Sequence, residues 1–111
     1  MLIYKIFRQS EWQALQNAGR TQGAPIDLAD GYIHFSTAET VIETAEKHFA
    51  DEDGLILASV EVDQLGDQLK WEPSRGGALF PHLYDILRLD QIQHSAPIPK
   101  TGKSFNFEGL L

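Results

Sequence analysis

The stretch Leu55 to Val62 (LILASVEV) is apolar on both faces at its start, and it constrains the fold more than any other segment. A strand with two apolar faces has to be covered on both sides, so it is a central strand of a sheet. The chain offers it partners. Leu2 to Phe7 (LIYKIF) is rich in strand formers and reads as the first strand, and Gly31 to Phe35 (GYIHF) reads as the second. Leu69 to Trp71 is a short extended piece, and Arg88 to Ser95 is a further strand broken by Pro97 and Pro99.

Two helices interrupt this series. Ser10 with Gln13 three residues on forms a capping box, and Gly19 suits a C-terminal cap, so a helix is predicted over Glu11 to Ala18. Ser36 with Glu39 repeats the box immediately after the second strand. Val41, Ile42, Ala45 and Phe49 then keep helical spacing. Arg20 to Ala29 reads as an irregular connector, Asp51 to Gly54 and Asp63 to Gly66 as turns, and Trp71 to Tyr84 as the least regular stretch. Lys100 to Leu111 reads as a tail anchored by Phe105 and Phe107. Strands that accumulate after two helices indicate an α+β domain rather than a doubly wound sheet. The length of 111 residues indicates one domain, 1–111. The expected core is Ile33, Phe35, Ile56, Leu57, Val60, Val62 and Leu83.

Composition removes several function classes. Sixteen acidic against nine basic residues give a net charge of −7, which repels phosphate backbones and argues against duplex nucleic acid as a partner. No cysteine is present, so disulfides and thiolate chemistry are excluded. No run of residues is long and apolar enough to span or anchor in a membrane, and a soluble, cytoplasmic protein is expected. The histidines at 34, 48, 82 and 94 never stand four apart, so no metal site is expected. Gly102-Lys103-Ser104 resembles the end of a phosphate-binding loop, but Pro97 occupies the place of its first glycine.

Three constellations can carry chemistry. In Asp30-Gly-Tyr-Ile-His-Phe-Ser-Thr37, alternation puts Ile33 and Phe35 on one face and Tyr32, His34 and Ser36 on the other. An imidazole, a hydroxyl and a helix start with Thr37 then converge, which suits a polar or anionic ligand. The structural alternative is that Ser36 only caps the helix and His34 only satisfies a core hydrogen bond. In Trp71-Glu72-Pro73-Ser74-Arg75-Gly76-Gly77, Arg75 can grip a carboxylate or phosphate, and the glycines admit a ligand close to the backbone. A surface turn with a Glu72–Arg75 pair is the alternative. In Phe80-Pro81-His82-Leu83-Tyr84, an extended chain puts Phe80, His82 and Tyr84 on one face. Core packing of Phe80 and Tyr84 is the alternative.

Together these three segments resemble a bacterial family described as domain of unknown function 952, over Tyr4 to about Gln93. The resemblance implies a split, mixed β-sheet with two short helices, similar in fold to ADP-ribosyltransferases and RNA 2′-phosphotransferases. It implies one cleft that binds a nucleotide-type ligand such as NAD. His34 and His82 would be its catalytic candidates, with Ser36, Thr37, Glu72, Arg75, Gly76 and Gly77 at the ligand, and Tyr32, Trp71 and Tyr84 as aromatic walls. The chain departs from those transferases in lacking their late catalytic glutamate: Glu108 sits in the tail and Glu61 in an interior strand, neither with the flanking pattern. The candidates are therefore an enzyme on a nucleotide substrate, an inactive ligand-binding module on the same fold, and a protein-interaction domain.

Overall fold

A computed structural model describes residues 1–111, the side chain of Arg75 excepted. The central strand is β4 (Ile56–Glu61). It pairs with β1 (Leu2–Phe7) on one edge and β8 (Ile92–Pro97) on the other. Both faces of β4 are covered, as its apolar pattern requires. Ile56, Ala58 and Val60 pack with Ile3, Phe7, Leu15, Ile33, Phe35 and Leu83 on one side. Leu55 and Leu57 pack with Tyr4, Ile6, Val41, Ala45 and Phe107 on the other. Val62 is only half-buried, because the strand ends at Glu61 and Val62 opens a 3₁₀ turn.

A second three-stranded sheet has the order β3 (Ile33–His34), β6 (Ala78–Leu83), β5 (Leu69–Ser74). A backbone bridge between Tyr4 and Ser36 joins it to the first sheet. The sheet is thus split as expected, but the described strand pairs are all antiparallel where a mixed sheet is expected. Two small ribbons complete it: β2 (Arg20–Thr21) with β7 (Leu87–Arg88), and β9 (Lys100–Thr101) with β10 (Ser104–Phe105).

Three α-helices form rather than two. α1 (Gln9–Ala18) starts two residues before its expected boundary, with Arg8 as its N-cap. The Glu11 side chain, not Gln13, accepts the cap N–H at 2.9 Å, and Gly19 ends the helix at φ 78°. α2 (Pro25–Asp30) lies in the segment read as an irregular connector. Its signals are Pro25 at the first helical position and Gly31 just past the end, each in its favoured place. α3 (Val41–His48) starts later than the Ser36–Glu39 box implies, because Thr40 is its N-cap. The stretch Trp71 to Tyr84 is a hairpin, β5 to β6, turned by Arg75–Gly77. Its two internal prolines hid the strand pattern. Among the described residues no helix is long and apolar enough to cross a membrane.

Candidate functional site

Strand register makes the site. In the β3–β6 pair His34 stands directly opposite His82, so two histidines 48 positions apart in sequence become neighbours. Their ring centroids lie 5.4 Å apart, edge to face. Alternation then orders the rest of that sheet face. Tyr32, His34 and Ser36 come from β3 and its two flanks, Phe80, His82 and Tyr84 from β6 and the residue after it, and Glu72 and Ser74 from β5. Ile33, Phe35 and Leu83 point to the core on the opposite face.

This polar face borders a cavity of about 460 Å³ between the two sheets, α2 and α3. His34, Ser36 and His82 line it, as does Ser74. Residues given no site role from the sequence line it as well: Lys5, Asp27, Asp30, Thr44 and His48. Tyr4, Phe49 and Phe80 are among its aromatic walls. Tyr32, Trp71 and Tyr84, expected as those walls, do not line it. Trp71 is one step out of phase with Glu72 and Ser74, so the pleat puts it on the other face of the hairpin. Tyr32 and Tyr84 continue the histidine face beyond the cavity. Tyr32 stacks on His82 at 4.1 Å between centroids and touches Tyr84 at 5.2 Å. Gly76 and Gly77 supply the positive φ of the hairpin turn and lie outside the cavity lining. Thr37 is buried and bonds Thr40 at 3.0 Å. The Arg75 side chain lies outside the described residues.

Asp27 is the electrostatic centre. Its side chain is fully buried, and its four partners among the described residues are all donors. Oδ1 accepts from the His34 backbone N–H at 3.1 Å and the His34 ring Nδ1 at 2.6 Å. Oδ2 accepts from Lys5 Nζ at 2.9 Å and the Ala24 N–H at 2.7 Å. Burial alone pushes the Asp27 carboxyl up. The His34 hydrogen bond and the Lys5 ammonium outweigh it and hold the group at about 2. The surroundings are built for this. Ile26 and Leu28 of α2 face solvent while Asp27 between them faces in. Gly23 lacks a Cβ where one would collide with Oδ2 of Asp27. Lys5 breaks the apolar alternation of β1, lying on the face of Ile3 and Phe7 with Ala58 opposite. A lysine at an inward position of LIYKIF, and an aspartate inside PIDLAD, are the signals that could have revealed the pair.

The second histidine is held by a different carboxylate. His82 Nδ1 lies 2.9 Å from Glu72 Oε1, and the same oxygen accepts the Tyr84 hydroxyl at 2.7 Å. Tyr84, then His82, hold Glu72 below its ordinary value, and Glu72 pushes Tyr84 up to about 12. Burial, then the charges of Asp30 and Glu72, raise Tyr32. The expected capping role of Ser36 is replaced by a hydroxyl contact: Ser36 Oγ lies 3.2 Å from Thr44 Oγ1, which itself donates to the Thr40 carbonyl. Arg8, at the cavity rim, is committed to Glu52 through two hydrogen bonds of 2.6 and 2.9 Å.

Comparison with known proteins adds a family but no activity. The model of a family described as "Protein of unknown function (DUF952)" matches residues 6–95. The crystal structure of protein CC0527 from Caulobacter crescentus is 43% identical, with a TM-score of 0.92 over 97% of this chain and 96% of that one. The solution structure of the same Caulobacter crescentus protein is 43% identical, with a TM-score of 0.87 over 99% and 96% of the two chains. None of the curated proteins matches the chain.

Proposed function

The chain belongs to the DUF952 family, and from its site we propose that it binds a small nucleotide-type ligand in the cleft, on a fold related to ADP-ribosyltransferases and RNA 2′-phosphotransferases. One observation carries this reading. His34 and His82, opposite each other in register, share a cavity of about 460 Å³ with Lys5 and Ser36. That volume falls within the roughly 300–1,000 Å³ of small-molecule sites. The split sheet and His34 at the end of β3, followed closely by Ser36 and Thr37, support the fold relationship. Imidazole and hydroxyl groups suit ribose and phosphate oxygens, and the aromatic walls suit a base. NAD and ADP-ribose are the first ligands to try.

The inactive binding module is the second reading. It is favoured by the position of Glu61 and Glu108, neither of which lines the cavity. Thermal melts with AMP, ADP-ribose and NAD test the cleft. A ligand at a hundred times its dissociation constant raises stability by about 2.7 kcal/mol. His82→Asn, which takes an imidazole out of the cleft lining, should reduce the shift. Melts that stay unmoved by every nucleotide at millimolar concentration overturn the reading.

A further inference from the structure

The two histidines differ in a way that assigns them opposite tasks. Each ring is anchored at Nδ1 by a carboxylate, which fixes its orientation and leaves Nε2 for chemistry. His34 Nε2 meets a second carboxylate, Asp30 Oδ2, at 3.0 Å. A carboxylate oxygen can only accept, so the contact with Asp30 places His34 Nε2 as a donor. His82 is buried, and among the described residues no group is bonded to its Nε2. With Nδ1–H given to Glu72, that nitrogen presents a lone pair, so it is an acceptor. A donor and an acceptor thus flank one cavity on adjacent strands, with the buried Lys5 ammonium among the lining groups.

Displacement at phosphorus requires this combination. One oxygen must lose a proton as it attacks, another must gain one as it leaves, and negative charge must be held between them. We infer that His34 and His82 are the acid and base for hydrolysis of a phosphodiester on a ribose, the simplest being a 2′,3′-cyclic nucleotide. This rests on the nucleotide-cleft reading above. His82 Nε2 takes a proton from water as the water oxygen bonds to phosphorus. The bond from phosphorus to one ribose oxygen breaks, and that oxygen takes the proton from His34 Nε2. One water is consumed and a phosphomonoester with a free hydroxyl results. The two rings have then exchanged protonation states, and solvent resets them, reaching His34 through the exposed Asp30. The ribose oxygen takes over the donor that otherwise faces Asp30.

The probe is 2′,3′-cyclic AMP with the full chain in EDTA, the product followed by chromatography and binding by thermal melt. Turnover is expected, with a bell-shaped pH profile. The groups facing His34 are Lys5, Asp27, Asp30, Tyr32 and His82; those facing His82 are Glu72, Lys70, Tyr84, Tyr32 and His34. His34→Gln and His82→Asn, checked for folding by circular dichroism, should each lose about 10²- to 10⁴-fold in rate, the usual worth of a proton-transfer group. Each should leave one limb of the bell. Glu72→Gln, a positioning change, should lower kcat with little change in KM. A cyclic nucleotide that shifts the melt without yielding product overturns the acid–base pair and spares the cleft. Turnover abolished by EDTA, or kept by folded histidine variants, also overturns it. A cyclic nucleotide that neither shifts the melt nor reacts overturns the acid–base pair, and the cleft reading falls with it only when AMP, ADP-ribose and NAD also leave the melt unmoved.

Discussion

Replacing Asp27 by asparagine exchanges one oxygen for an NH₂ group and should be among the costliest single changes in the protein. Among the described residues every partner of the carboxylate is a donor: Lys5 and Ala24 on Oδ2, His34 twice on Oδ1. Either orientation of the amide therefore points its own N–H bonds at two donors. Lys5, 6% exposed, is also left as a buried charge without its counter-ion. Removing one member of a buried pair costs about 3–5 kcal/mol. At this chain length that is a fall in Tm on the order of 10–20 °C. The pH dependence gives an independent handle. Asp27 titrates at about 2 in the folded chain, against about 3.9 unfolded. A depressed carboxylate stabilises above its unfolded pKa, and that stability is lost as pH falls through the folded one. Asp27 should thus contribute about 2–3 kcal/mol at neutral pH, lost between about pH 5 and pH 1. Urea titrations of wild type and Asp27→Asn from pH 7 down to pH 2 should show the gap closing. The double change Lys5→Met with Asp27→Leu should recover only the part of the loss that comes from the unpaired charge, because the Ala24 and His34 N–H groups still lack an acceptor. A single variant within about 0.5 kcal/mol of wild type, the range of an ordinary surface change, would refute the reasoning. So would a gap that does not vary with pH.

Other outcomes follow from single residues. Phe35, 2% exposed in the core below His34, should cost about 3–5 kcal/mol as alanine in denaturant melts; an unchanged midpoint would mean its strand is inside out. Gly23→Ala should lose clearly more stability than Gly66→Ala. Both have positive φ, but only at Gly23 does a Cβ meet Asp27, beyond the roughly 1–2 kcal/mol of the left-handed backbone itself; equal losses would discount the contact. In an ultraviolet pH titration one tyrosine should ionise near pH 12. Glu72→Gln should bring that transition down toward the usual value of about 10, and Tyr84→Phe should remove it. A transition that survives Tyr84→Phe would assign it to another tyrosine.

What the residues disclosed in advance, and what they withheld, has a physical pattern. The central strand was legible because its apolar run had one explanation. The facing of His34 and Ser36 was legible because alternation with Ile33 and Phe35 left no other. The hairpin from Leu69 to Leu83 was hidden because Pro73 and Pro81 remove ladder donors and disguise strands. α2 was hidden because its pattern is inverted: the polar Asp27 is inside, and the apolar Ile26 and Leu28 are out. Capping boxes misplaced the starts of α1 and α3, since Ser10 and Ser36 have the composition of a cap without its position. The carboxylates behind the two histidines were illegible, as partners seven and ten residues away are chosen by tertiary register rather than local spacing.

The pairing of β1 with β4 bears on how the chain is made. Leu2 meets Glu61 and Phe7 meets Ile56. The strand β1 leaves the ribosome before β4 and thus lacks this partner until about fifty further residues have emerged. At about 5–20 residues per second that interval lasts on the order of 2–10 s. During it Ile3, Tyr4, Ile6 and Phe7, all buried in the finished protein, stand in the open with an unpaired backbone edge, a template for another nascent chain. Lys5 in the middle of that segment places a charge inside the exposed run, and charges there discourage strand-to-strand aggregation. The residue that later sits beneath the cleft thereby guards the chain while it is still being synthesised.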